Sequence, residues 1–224
     1  MDVEYGRAGN GFETLVPAGL IGFRRWYVDL PRPEDLKNGV VDAPVLKGQL
    51  GHLWPQSLME AACEPPAFGG AGKHEEPVPH PPCTCGVYAT YFPDSYAMSG
   101  TFSYVGAIEA SGRVVCGSKG FRAGRAKLLG LYLGAEPDHS LIYQAREFSD
   151  ALKSICKAIG LVPPSEVLAN AEDEDMAWYG WIREQIVKSQ PGYEDVQVFF
   201  SWDEFVGTYT QVDLSALGIK TEEP

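Results

Sequence analysis

The stretch Glu64 to Pro82, "EPPAFGGAGKHEEPVPHPP", carries no hydrophobic period of either kind. It has neither the three-to-four spacing of a helix nor the alternation of a strand. An aperiodic run this long is uncommon inside a compact domain unless it is functional, disordered or tied down. The residues for a tie are in place. Cys63 stands directly before the run, Cys83-Thr84-Cys85-Gly86 directly after it, and His74 and His80 lie within it. The chain is therefore expected to build short elements around a loop pinned at both ends.

Zinc closes a structural site with four thiolate or imidazole ligands in a tetrahedron. Cys63, Cys83, Cys85 and one histidine reach that count. A Cys-x-Cys pair can grip one ion from the two ends of a tight turn, and Gly86 allows backbone shapes other residues avoid. Spacing alone leaves His74 and His80 equal. It also leaves standing the plainer reading that these cysteines are small buried hydrophobes, the usual fate of a free thiol. Five cysteines is an odd number for a disulfide framework. The N-terminal "MDVEYGRAGNGFETLVPAG" is acidic and lacks the basic and apolar regions of a secretory signal, so a cytoplasmic, reducing location is expected. No run of about 18 apolar residues predicts a membrane span.

On either side of the aperiodic run, up to about residue 135, the apolar segments are short, aromatic or β-branched, and bounded by turn residues: "GLIGFRRWYVDL", "GVYATYF", "FSYVGAIEASGRVVCG" and "KLLGLYL". These predict strands. Ser111-Gly112 lies between two such runs and predicts a hairpin turn. Beyond residue 136 the texture changes. "SLIYQAREFSDALKSICKAIGL" has apolar residues spaced mostly by three or four, and "EDEDMAWYGWIREQIVKSQPG" opens acidic and closes on Pro191-Gly192; both predict helices. "VQVFFSWDEFVGTYTQV" predicts a strand and a short following segment. The fold class expected is α+β: a mostly antiparallel β N-terminal domain (1–135) with a zinc-pinned loop, plus an α-rich C-terminal extension (136–224).

A further pattern runs through the first of these regions. Gly22-Phe23-Arg24-Arg25-Trp26 is followed by Trp54-Pro55, Cys63, His74 and Cys83-Thr84-Cys85-Gly86-Val87-Tyr88-Ala89. Then come "YVGAI" (Tyr104 to Ile108), Gly112-Arg113-Val114-Val115 and Gly120-Phe121-Arg122-Ala123. In order and content, residues 20–133 resemble a set of uncharacterised proteins of actinobacteria and their phages. In such relatives the histidine opens an H-x-A-P-like stretch, which "HEEP" at His74 matches better than "HPPC" at His80. The resemblance thus implies the ligand set Cys63, His74, Cys83 and Cys85, and brings no activity with it. The sequence departs from the pattern in a longer His74 to Cys83 gap and in "CGSKG" after Val115.

The net charge of −12 opposes nucleic-acid binding by the chain as a whole, since phosphate contacts need a basic surface. A local exception is "GSKGFRAGRAK" (Gly117 to Lys127), which reads either as a solvated hairpin edge or, through Lys119, Arg122, Arg125 and Lys127, as a nucleic-acid contact. Trp178 and Trp181 share one face of a predicted helix. That face either packs onto the β-domain or offers aromatic anchors to a protein partner. "EDED" at Glu172 to Asp175 lacks the layout of a calcium loop and reads as a helix N-terminus. No G-x-S-x-G, H-E-x-x-H, P-loop or G-x-G-x-x-G is present. A cysteine nucleophile would need an orienting third group, and none can be named. Cys116 and Cys156 read as buried thiols. The function expected is that of a non-enzymatic zinc-binding accessory protein of phage or mobile-element origin in a bacterial host, acting on a protein partner. The alternative is a regulator that contacts nucleic acid or a DNA-bound enzyme.

Overall fold

The computed structural model describes residues 12–28, 46–48, 53–63, 74–80, 83–93, 103–133 and 192–209, together with seven single residues between 165 and 188. Three long strands form its frame: β1 (Phe12–Val28), β6 (Ser103–Cys116) and β7 (Gly120–Tyr132). Shorter strands attach to them: β2 (Leu46–Lys47), β3 (Leu53–Trp54), β4 (Leu58–Glu60), β5 (Val87–Thr90) and β8 (Gln197–Phe199). One short helix, α1 (Trp202–Thr208), follows β8. The architecture is mostly antiparallel β, as the short aromatic and β-branched runs predict.

β6 pairs with β1 on one side and β7 on the other. β5 pairs with β7 along Val87–Thr90 and reaches β1 through Phe23 opposite Thr90. The pairings therefore close a ring, β1–β6–β7–β5–β1, and closure removes the open sheet edges that invite misassociation. The far side of β7 is shared by three partners in succession: β5 at residues 120–123, β4 at 125–127 and β8, in parallel, at 130–132.

Side-chain alternation sorts the strands into two faces. Leu20, Trp26, Ile108, Ala110, Phe121, Leu128 and Leu131 join Trp54, Tyr91 and Tyr193 in the larger core. Trp26 and Trp54 meet edge to face with ring centroids 5.0 Å apart. On the other face Phe23, Val105, Ala107 and Tyr132 pack with Phe199, Phe205 and Tyr209. α1 covers this face. Ser201 caps it, its Oγ accepting from the Glu204 amide at 3.3 Å, and Asp203 and Glu204 place negative charge in its first turn. Phe205, fully buried against Phe23 and Phe199, anchors it; burial of such a ring stabilises by roughly 1.5–3 kcal/mol.

Two expectations are corrected. Ser111-Gly112 is no hairpin turn: β6 runs through it, and the pairing with β7 slips between Ser111 and Val114. Gly112, at φ +75°, supplies the left-handed residue of this bulge, which bends the long strand without ending it. The hairpin lies six residues on, where the Gly117 amide donates to the Gly120 carbonyl at 2.8 Å. Nor is a C-terminal helical extension borne out. Among the described residues the one helix with defined ends is α1; Ser165, Ala169, Trp181, Glu184, Gln185, Val187 and Lys188 have helical backbone but delimit no helix. Residues 192–209 belong to the β body. β8 extends its sheet, Ser57 donates to the Gly192 carbonyl at 3.2 Å, and the buried Tyr193 hydroxyl donates to the Trp54 carbonyl. The expected boundary near residue 135 and most of 136–191 lie outside the described residues.

Candidate metal centre

β7 is the platform on which the Cys/His residues meet. Glu60 lies opposite Arg125, and the ladder continues as the Ala61 amide donates to the Gly124 carbonyl at 2.8 Å. β4 therefore delivers Cys63 just past this point. Val87 lies opposite Ala123, so the residues entering β5, Cys83 and Cys85, arrive beside the same stretch. The intervening segment 74–80 lies across β7. A Cβ on Gly124 would stand 2.4 Å from the Val78 carbonyl oxygen, so only glycine permits this approach. Arg113 of β6 donates to the Pro77 carbonyl at 3.3 Å and ties the segment from the other side.

The result is a compact donor group. The ligand atoms of Cys63, His74, Cys83 and Cys85 all lie within 4.8 Å of one another, and the group is able to hold a metal ion. Cys63 Sγ and Cys83 Sγ are 3.8 Å apart, and His74 Nε2 lies 3.2 Å from Cys85 Sγ. A tetrahedron with metal–sulfur bonds of about 2.3 Å has an edge of about 3.8 Å, so the thiol pair is already at the spacing of one four-coordinate ion. His74 Nδ1 lies 3.0 Å from the Glu76 carbonyl oxygen. A proton there donates to the carbonyl, fixes the tautomer and leaves Nε2 free for a metal.

The Cys-x-Cys turn is shaped by the main chain. The Cys83 amide donates to the His80 carbonyl at 2.9 Å, and the His80 amide donates to Cys85 Sγ at 3.4 Å. Gly86 follows at φ +120°, and a Cβ there would stand 3.1 Å from the Pro79 Cβ and 3.2 Å from the Arg122 Cβ, so a side chain would be both strained and crowded. Burial pushes the Cys83 thiol up, but hydrogen bonds from the Cys85 amide and from the Cys85, Cys63 and His74 side chains outweigh it and bring it down to about 7. Burial raises its neighbour Cys85 to about 11. Of the Cys-x-Cys pair, Cys83 is thus the readier to give up its proton and Cys85 the more reluctant.

The other residues singled out in the sequence are placed as follows. His80 packs its ring against that of His74, centroids 4.9 Å apart, and its ring is not among the four donors. Arg122 is buried at 8 % exposure beneath the Cys-x-Cys turn, donating to the Cys83 carbonyl and, at 3.2 Å, to the Cys85 carbonyl. Arg125 is exposed and pairs with Glu60 at 2.6 Å. Lys119 and Lys127 are exposed. The basic stretch opens on the β6–β7 hairpin, where Lys119 is exposed, and from Gly120 on forms β7, a strand paired on both sides. Trp181 is partly buried, and Trp178 lies outside the described residues, as does Cys156. Cys116 is a buried free thiol held above its ordinary value by burial. Sequence reasoning missed the role of Arg122. Its one signal was the second Gly-aromatic-Arg motif, Gly120-Phe121-Arg122, on the strand that carries the site. No helix among the described residues is long and apolar enough to cross a membrane. No protein-family model, curated protein or solved structure matches the chain.

Proposed function

We propose that the protein is a non-enzymatic accessory protein whose recognition surface is held in shape by a structural zinc ion at Cys63, His74, Cys83 and Cys85. The observation that carries this reading is the convergence of three thiols and an imidazole, from segments up to 22 residues apart in sequence, within 4.8 Å. Three sulfur donors and one nitrogen suit zinc among the common divalent ions, and four protein ligands leave no open position for an activated water. The ion would fasten the segment 74–80 to the β body. The order of motifs resembling the actinobacterial and phage set supports an accessory role in a bacterial host.

The partner in this reading is a protein with basic segments. An open groove beside β8 is lined by Glu184, Glu194, Asp195, Glu204 and the Val196–Phe199 stretch, together with Lys188, which is paired to Glu184. The nucleic-acid alternative is left with Lys119, Arg125 and Lys127 at the surface, Arg125 in an exposed pair with Glu60, because Arg122 is buried under the Cys-x-Cys turn.

Elemental analysis of purified protein is expected to give one zinc per chain. Removal by chelator is expected to lower thermal stability, and re-addition to restore it. Metal-free protein of unchanged stability refutes the structural role. For the partner, the wild type is expected to capture a basic host protein that the Glu194→Lys, Asp195→Lys double variant does not; equal capture by both refutes the groove.

A further inference from the structure

We infer that Arg122 is the positioning residue of this metal centre: it balances the charge of the metal-bound thiolates and braces the Cys-x-Cys turn. The inference rests on the zinc reading above. A dication with three thiolates and a neutral imidazole carries one net negative charge. Such a charge, partly removed from water, is costly unless a cation lies near it. Among residues paired to the turn, Arg122 is the cation. Its guanidinium is buried, and the same nitrogen, Nη1, donates to the carbonyls of both Cys83 and Cys85.

Three contacts keep it there. Arg122 lies on β7 opposite Tyr88 of β5 and Val115 of β6, so its backbone is paired on both sides. Its guanidinium lies 5.8 Å from the Tyr88 ring centroid, and the Tyr88 hydroxyl donates to the Thr84 carbonyl inside the same turn. A Cβ added at Gly86 would stand 3.2 Å from the Arg122 Cβ, so only glycine lets the turn's exit pass this close over Arg122. Carbonyls of residues 83 and 85 held by one planar donor fix the direction in which both thiols leave the turn. A lysine supplies the charge at this position but lacks the planar guanidinium that lies against the Tyr88 ring. Arg125, three residues along the strand, is exposed and paired to a carboxylate, so it serves as the control.

The test is titration of the metal-free full chain with Co²⁺, whose visible bands report ligand geometry, followed by Zn²⁺ competition against a chelator. Outer partners of metal ligands typically contribute 10- to 100-fold in affinity, so Arg122→Met is expected to bind about that much more weakly with displaced cobalt bands. Arg122→Lys is expected to fall between it and wild type, and Arg125→Met to match wild type. Arg122→Met with wild-type affinity and cobalt spectrum overturns the inference. If that variant does not fold, Arg122→Lys decides: unchanged affinity and spectrum overturn it, a several-fold loss with shifted bands sustains it. A wild type that takes up no metal overturns the zinc reading and this inference together. One equivalent bound by wild type and equally by Arg122→Met overturns this inference alone.

Discussion

Gly124 is the position where the smallest change should disturb the metal centre most. A Cβ added there would stand 2.4 Å from the Val78 carbonyl oxygen, whereas such contacts essentially never fall below 3.0 Å. Gly124 sits between the β5 and β4 pairings and opposite the β6 bulge, but its neighbours Ala123 and Arg125 are paired on both sides and its carbonyl is held by the Ala61 amide. β7 therefore has little room to retreat, and the segment 74–80 must rise by about 0.6 Å or more. Metal–ligand distances tolerate only about ±0.2 Å. His74 shares that segment, and the backbone bond from Cys83 to His80 carries the movement to the Cys-x-Cys turn. Gly124→Ala is therefore expected to cost about 1–3 kcal/mol, the usual range for overpacking a filled site. It is also expected to weaken zinc retention against a chelator. The comparison is Gly112→Ala at the bulge. There the φ of +75° opposes a side chain but nothing lies within 4 Å of it, so a loss of about 1–2 kcal/mol is expected with zinc retention unchanged. Urea denaturation and chelator competition on both variants measure the two effects. A Gly124→Ala protein with wild-type midpoint and wild-type zinc retention refutes the argument that the segment lies on β7 and carries a ligand.

Two further outcomes test other parts of the structure. Tyr193→Phe removes the donor to the buried Trp54 carbonyl and is expected to cost about 1–3 kcal/mol in urea; a neutral result would mean that residues 192–209 do not dock on β3. In metal-free protein the Cys83–Cys85 pair should release its first proton near pH 7, below the ordinary thiol value of 9.0, and its second near 11. A lowered folded value contributes stability that is present above 9 and lost as pH falls through about 7. The raised value of Cys85 works the other way, its contribution present below 9 and lost as pH rises through about 11. Thiolate absorbance should show the low step, and Cys83→Ser should abolish it; a single step near 9 in wild type contradicts the arrangement.

How much of this was legible beforehand differs from residue to residue. The strands could be read because period-two patterning is local: Phe23 and Trp26, Ala107 and Ile108 point to opposite faces whatever they pair with. The expectation of a tie between Cys63 and Cys83 also rested on local facts, length and thiol chemistry; residues 64–73 and 81–82 lie outside the described residues, and segment 74–80 lies across β7. The bulge at Gly112 was misread as a hairpin because both need a glycine at positive φ, and only a partner strand running past it tells them apart. β8 could be read as a strand, but its parallel place beside β7 depends on a partner more than sixty residues away.

The sequence by itself determined the material of the site: three thiols, two histidines, and a proline-stiffened segment that needs a tie. It determined the β character of residues 19–28, 87–90, 103–116 and 127–132, since aromatic and branched side chains fit a pleated surface, but not the first parts of β1 (12–18) and of β7 (120–126). Only the tertiary structure decided which residues meet. β7 receives β4 and β5 on one edge at consecutive positions, and that register alone brings Cys63 to Cys83 and Cys85. It also turned Arg122 from one charge in a basic run into the buried brace of the turn, because solvation of a charge is settled by what packs over it and not by its neighbours in the chain.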